Sequence, residues 1–337
     1  MKSIIRNLAF VCAAILALAS CHQEKTRKAL LPNITGTAGE VIVVIGQNEW
    51  EGAVGTVLRD SLSCEFPQLP QREPLFNLVN VPQAAFTSMF QVHRNIIVVN
   101  ISKDVTEPGV LYRNDVWAAP QTVIRVNAPD SETAVQLIKE NSSTIIGMLE
   151  EAERARMIRN AKKYEERSIA PVVTEMVGGS PHFPSGYKLK KRTDDFIWVS
   201  YDPEYVSQGI LIYKYPVVEG EDMMSPENLL EANSRMLMEN VPGMYMVMSS
   251  YAPPTVKYMK YHGLQFAEIR GLWEVHNDYM GGPFVTHVFY SPDGKYMIGI
   301  EGFVYAPKFD KRQYLRQVES IIYSFEWAKT DEEVNKE

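Results

Sequence analysis

The residues that could carry chemistry lie mostly in the second half of the chain. Glu274, His276 and Asp278 alternate along a segment of strand character, so their side chains share one face, and His287 falls on a neighbouring strand of a possible hairpin. Carboxylate oxygens and imidazole nitrogens converging there would suit a divalent cation. A half-exposed strand produces the same alternation for solubility alone, and neither His-x-x-x-His nor paired-Cys spacing occurs. We therefore expect no metal and no other cofactor. Asp194, Asp195, Glu268, Glu274 and Glu301 offer carboxyls for an acid/base pair, which glycoside cleavage needs about 5–10 Å apart. Trp198 and Trp273 could stack on sugar rings, with Glu274 and His276 as polar ligand-binding candidates, although their alternation with apolar partners also fits core packing. The methionines from Met223 to Met259 could line an adaptable groove or fill the core.

Other chemistries lack their motif. Gly46 stands alone after the apolar run Val41–Ile45, without a Walker loop or a dinucleotide fingerprint, and no Gly-x-Ser-x-Gly elbow occurs. Cys64, within Ser61–Pro67, has no adjacent His or cation to lower its pKa, which predicts a buried or half-buried structural thiol.

The elements that would position these residues fall into two groups. Glu40–Ile45 is a continuous β-branched run, expected as a central strand buried on both faces. Asn48 opens a helix through Leu62, strands follow at Leu75–Val79 and Asn95–Ile101, and a fourth lies between Val116 and Val126. Asp130 caps a long helix reaching about Glu166, whose stripe begins Ala134, Leu137, Ile138. Its Glu-, Arg- and Lys-rich part, Glu150 to Arg167, reads as a solvated face. Pro171, Gly178-Gly179 and Pro184-Ser185-Gly186 mark a break near residue 180, and 15 of the 17 Tyr lie beyond it. Strands are then expected at Phe196–Tyr201, Ile210–Tyr215, Met244–Met248, Leu264–His276 and Pro283–Tyr290. A hairpin turn lies at Ser291–Lys295. Helices are expected after Ser225-Pro226 and from Lys311 to Phe325. The fold class is α+β: two mixed α/β layers, the second an antiparallel sheet with two flanking helices.

Composition narrows the function classes. The 337 residues are 45% hydrophobic and carry 34 basic against 41 acidic side chains, enough for a sizeable core and without a positive field for nucleic acid. At the N-terminus, Lys2 and Arg6 precede an uncharged apolar run from Leu8 to Leu18. That run is too short to span a bilayer, which takes about 20 helical residues, and it reads as a signal segment. Its removal leaves 32 basic against 41 acidic side chains and a formal charge of −9.

Leu18-Ala19-Ser20-Cys21 resembles the lipobox of bacterial lipoproteins. The resemblance implies signal-peptidase recognition through Leu18, Ala19 and Ser20, and diacylglycerol and acyl chains on Cys21. Two or more acyl chains anchor firmly where one is marginal. The expected organisation is a signal peptide (1–20), a flexible tether (21–38), an N-terminal α/β domain ending in a long helix (39–170), a C-terminal α+β domain (180–328) and a charged tail (329–337). The lipobox, Gly39–Val44, Arg270-Gly271-Leu272-Trp273 and Gly281-Gly282-Pro283-Phe284 together resemble a Bacteroidetes lipoprotein family known as domain of unknown function 4837, over essentially the whole mature chain. More loosely, Ser320–Phe325 after a strand-rich half is similar to the last helix of PsbP-like and Mog1-like sandwiches. Neither likeness implies a reaction. The expected function is a lipid-anchored protein of the cell envelope, at the outer membrane facing the periplasm, that binds another envelope protein or a ligand. The alternatives are a glycan-directed envelope hydrolase using carboxylates of the second domain, or a carbohydrate-binding module.

Overall fold

The computed structural model describes residues 30–241, 246–275 and 279–329. It has two compact units: the chain up to Cys64 with Leu75–Ala152, and Glu65–Pro74 with Glu153 onward. The division thus falls inside a helix, not near residue 180, and a short segment from early in the chain belongs to the second unit. Cys21 and the lipobox lie outside the described residues.

The first unit is a five-stranded sheet in the order β2-β1-β3-β5-β4. Strands β1 (Glu40–Val44), β2 (Asn77–Val81), β3 (Asn95–Ile101) and β5 (Thr122–Ala128) pair in parallel, and β4 (Gly109–Asn114) joins β5 antiparallel at the edge. Val41 to Ile45 are fully buried, as a β-branched run in a parallel sheet requires. The edge strand β4 has no buried residue, so no apolar pattern marks it in the sequence. The helix expected over 48–62 is two helices, α1 (Gln47–Glu51) and α2 (Ala53–Leu62), because Gly52 is extended between them. A four-residue helix, α3 (Ser88–Gln91), precedes β3. Helix α4 (Ser131–Lys163) starts where Asp130 Oδ1 accepts the Thr133 amide at 2.8 Å.

In its last part α4 departs from the expected solvated face: Glu153, Arg156 and Ala161 are buried, and Glu153 pairs with Arg156 at 3.1 Å. The expected linker around Pro171–Gly186 is ordered too. Pro171 sits in the first turn of α5 (Ala170–Val177) and Gly178, at φ 81°, ends it, which are the places these residues favour at helix ends. Strand β6 (Gly179–Ser180) then pairs with β15 (Glu326–Trp327).

The second unit is an antiparallel sheet ordered β10-β12-β13-β14-β9-β8-β7, with β11 also paired to β12. Its strands are β7 (Lys188–Arg192), β8 (Phe196–Tyr201), β9 (Ser207–Pro216), β10 (Met246–Met248), β11 (Thr255–Tyr261), β12 (Leu264–Val275), β13 (Gly281–Tyr290) and β14 (Tyr296–Tyr305). Helix α6 (Pro226–Asn240), capped by Ser225, lays Leu229, Ala232, Met236 and Leu237 on one face against Phe196, Leu211, Tyr213, Ile269 and Phe303. Helix α7 (Arg312–Tyr323) covers the other face, with Val318 and Ile322 over Gly302. The α+β class with two flanking helices is what the structure has. Glycines make room for this core: a Cβ on Gly209 would lie 2.0 Å from the Phe303 ring.

The N-cap of α7 is Lys311, which offers no side-chain cap of its own. The cap comes from Glu73, whose carboxylate accepts the backbone amides of Lys311 at 2.6 Å and Arg312 at 3.0 Å. A negative charge on the exposed donors of a helix N-terminus is favourable in both hydrogen bonding and dipole terms.

Candidate functional site

Each face of the second sheet carries a buried polar cluster. On the α7 face, Glu268 and Arg270 are two residues apart on β12, so their side chains share a face. Arg270 grips Glu268 through Nε at 2.7 Å and Nη2 at 3.1 Å. The same guanidinium reaches Glu319 of α7, with Nη2 at 2.7 Å and Nη1 at 3.4 Å, and Arg154 of α4 adds a contact to Glu319 at 3.3 Å. Tyr323 donates its hydroxyl to Glu268 at 3.0 Å, and Nε2 of His287, cross-strand from Glu268, lies 3.4 Å from the same oxygen. Aromatic faces close the cluster. His287 stacks on Phe266 at 4.0 Å and meets Tyr323 edge-on at 4.5 Å, and Arg154 sits 3.8 Å over the Tyr323 ring.

The protonation states follow from these contacts. Burial alone would raise the Glu268 carboxyl, but hydrogen bonding from His287 and the charge and hydrogen bonds of Arg270 outweigh it and hold it far below its ordinary value. Glu319 is lowered in the same way, burial being overcome by Arg270 and then Arg154. Burial pushes His287 down, so its imidazole is neutral at neutral pH, while burial and the charge of Glu268 push the Tyr323 phenol up. The network is two carboxylates clamped by one bidentate cation, an arrangement that fixes side chains and leaves neither carboxylate free to exchange protons near neutrality.

On the α6 face the chemistry is reversed. Glu301 of β14 is fully buried, with no cation beside it among the described residues. Its Oε2 accepts from Asn233 of α6 at 2.5 Å and from Thr286, its cross-strand neighbour, at 2.8 Å. Burial raises this carboxyl to about 7, with the two hydrogen bonds opposing the rise. Glu268 and Glu301 are the kind of pair, one held low and one high, that divides acid and base roles. They do not converge. Glu268 pairs with His287 and Glu301 with Thr286, and successive strand residues point to opposite faces.

The other residues singled out from the sequence are dispersed. Trp273 is 3% exposed and packs edge-on to Phe303 at 5.5 Å; Trp198 is half-buried against the same ring at 6.4 Å. Trp273 therefore presents no open face to a sugar. Glu274 is half-buried, accepts the Ser249 hydroxyl at 2.5 Å and pairs with Gly281, not with the His287 strand position. Six residues separate it from Glu268, roughly 20 Å along the strand. Asp194 and Asp195 are exposed between β7 and β8, where Asp195 accepts the Thr193 hydroxyl at 2.7 Å. His276 and Asp278 lie outside the described residues, and no group of three metal-ligating side chains occurs among those described. Cys64, expected to be buried or half-buried, is exposed.

The sequence reading missed Arg154, Asn233 and Glu319 as members of these clusters. Glu319 carries a legible signal: it stands four residues after Leu315 and one after Val318, a charge on the apolar stripe of α7.

Residues 166–324, the bulk of the second unit, match the family model described as domain of unknown function 4837. The chain carries a domain of an uncharacterised family. Arg270-Gly271-Leu272-Trp273 and Gly281–Phe284 fall within this DUF4837 region, and so do both buried clusters apart from Arg154. The region does not extend over essentially all of the chain after Cys21, because residues 35–162, including Gly39–Val44, match a different model, domain of unknown function 8532. No curated protein matches the chain. A solved protein of Bacteroides thetaiotaomicron VPI-5482 is similar at 12% identity and a TM-score of 0.26, over 45% of this chain and 46% of that one. The match thus spans less than half of that protein's length.

Proposed function

We propose that this is a lipid-anchored cell-envelope protein whose DUF4837 region binds another envelope protein or a ligand. The observation that carries the reading is the order Lys2, Arg6, the apolar run Leu8–Leu18 and Leu18-Ala19-Ser20-Cys21. A basic start, a short apolar segment and small residues before a cysteine are what processing and lipidation require. Anchoring then falls to acyl chains on Cys21, consistent with there being no helix, among the described residues, long and apolar enough to cross a membrane. Only one acid follows closely after Cys21, at Glu24, which favours the periplasmic side of the outer membrane over surface export.

Binding is favoured over hydrolysis by the state of the buried acids. Glu268 and Glu319 are saturated by Arg270, and Glu301 faces away from them. The test is mass spectrometry of the N-terminal peptide together with membrane fractionation. The protein should carry diacylglycerol on Cys21 and sediment with membranes, and Cys21→Ala should be unprocessed or soluble. An unmodified Cys21 in a processed, membrane-bound chain would refute the anchor.

A further inference from the structure

The Glu301 cluster is used by neither the fold's charge network nor the proposed binding role, and its hydrogen bonds are incomplete in a specific way. Asn233 and Glu301 are both fully buried and joined by one contact, from Asn233 Nδ2 to Glu301 Oε2 at 2.5 Å. The remaining oxygen of each, Glu301 Oε1 and Asn233 Oδ1, is buried without a hydrogen-bond partner. Two acceptors left over beside a donor–acceptor contact lack one proton between them. A carboxylic acid supplies it: Oε1–H can donate to Oδ1 while Oε2 accepts from Nδ2, closing a two-bond ring between an acid and an amide.

We propose that Glu301 is a protonation-controlled latch that holds α6 on the sheet. With the proton present, both orphan oxygens are satisfied and α6 is tied to β14 by two reciprocal bonds. With the proton lost, a buried charge faces the Asn233 carbonyl oxygen, and α6 is released more easily. A buried acceptor left unpaired costs about 1–3 kcal/mol, more when charged, so the second state is the weaker one.

The surroundings leave Glu301 as the group that titrates. From β9 it is faced by Leu211 and Tyr213, from β13 by Thr286, and from α6 by Asn233. Tyr213 is the titratable neighbour; burial first, then the Glu301 charge, push its phenol well up, so it stays neutral. The charged residues of α6, Glu227, Glu231, Arg235 and Glu239, are on its exposed side. Glu268, Arg270 and His287 lie on the opposite face of the sheet. The carboxyl's shift to about 7, caused first by burial, places the proton on Glu301 through the mildly acidic range.

The direction of the effect follows from linkage. Opening α6 hydrates Glu301 and returns it towards its ordinary value of 4.5. Between that value and about 7 the closed state binds one more proton than the open one. Opening therefore becomes easier by about tenfold per pH unit across that window, roughly 300-fold in all, and levels off above it. Hydrogen exchange of the α6 amides in the full-length protein from pH 4.5 to 8, corrected for intrinsic exchange rates, reads this directly. Glu301→Gln retains a donor and an acceptor at the same places and should make α6 opening flat with pH. A flat profile in the wild type, or the same slope in Glu301→Gln, would overturn the latch. Should that variant fail to fold, the wild-type side-chain carboxyl can be followed by carbon NMR. A midpoint near 7 supports the proposal, and titration in the ordinary carboxylate range overturns it.

Discussion

Replacing Arg270 by leucine removes the one cation shared by Glu268 and Glu319. The guanidinium makes four contacts to these two carboxylates, at 2.7, 3.1, 2.7 and 3.4 Å, and both acids are more than nine-tenths buried. Removing one partner of a buried ion pair typically costs about 3–5 kcal/mol, because a charge is left uncompensated. Arg154 still touches Glu319, so the loss falls mainly on Glu268 and the expected cost at pH 7.5 is about 3 kcal/mol. The sign of the pH dependence is fixed as well. In the wild type both carboxyls titrate below their unfolded values, so their stabilisation is present at neutral pH and lost as pH falls through the folded values. Without Arg270, burial dominates and the carboxyls take up protons more readily. The deficit should therefore be largest at pH 7.5 and shrink towards pH 4.5. Urea midpoints at both pH values, compared at equal m, measure it, and any slope from Glu301 is common to both proteins and cancels. Combining Arg270→Leu with Glu319→Leu in a double-mutant cycle gives the coupling. A loss below about 1 kcal/mol at pH 7.5, or the same loss at both pH values, would refute the reasoning.

Two further outcomes follow from close contacts. Glu73→Ala removes the acceptor of two α7 amides and should destabilise by about 1–2 kcal/mol in thermal unfolding, with Glu73→Gln losing roughly half as much. An equal loss in both variants would mean that charge, not hydrogen bonding, carries the cap. Gly209→Ala drives a methyl group into the Phe303 ring and should cost about 1–3 kcal/mol, partly recovered by Phe303→Leu. Additive effects in that pair would rule out the clash.

Strongly patterned elements were legible in the chain itself. The β-branched run at Val41–Ile45, the Asp130 and Ser225 caps and the Ser291–Lys295 turn each combine a local preference with a fitting tertiary place. What was not legible depends on partners far away in sequence. Strands β4 and β11 are paired yet mostly exposed, so their register is set by backbone bonding to β5 and β12 rather than by apolar alternation. Glu153 and Arg156 read as solvated because their neighbours in sequence are charged, but each pairs the other in a buried setting. Glu268 and Glu274 fall within the expected strand Leu264–His276, whereas Asp194 and Asp195 lie between strands; which face a strand carboxylate occupies depends on register, and a slip of one residue would turn it to the other face.

The capping of α7 by Glu73 bears on how the second unit is completed during synthesis. Glu73 leaves the ribosome 238 residues before the amide it must meet, so the helix start cannot be closed until Lys311 has been delivered. Closing so long a span is entropically costly and slow relative to local hairpins. A fragment starting at Glu153 would contain all eight strands of the sheet and both covering helices, yet leave two backbone donors of α7 open. The DUF4837 match, at residues 166–324, omits the same ten residues. Dissection at the family boundary should therefore yield a weaker domain than dissection that grafts Glu65–Pro74 back on.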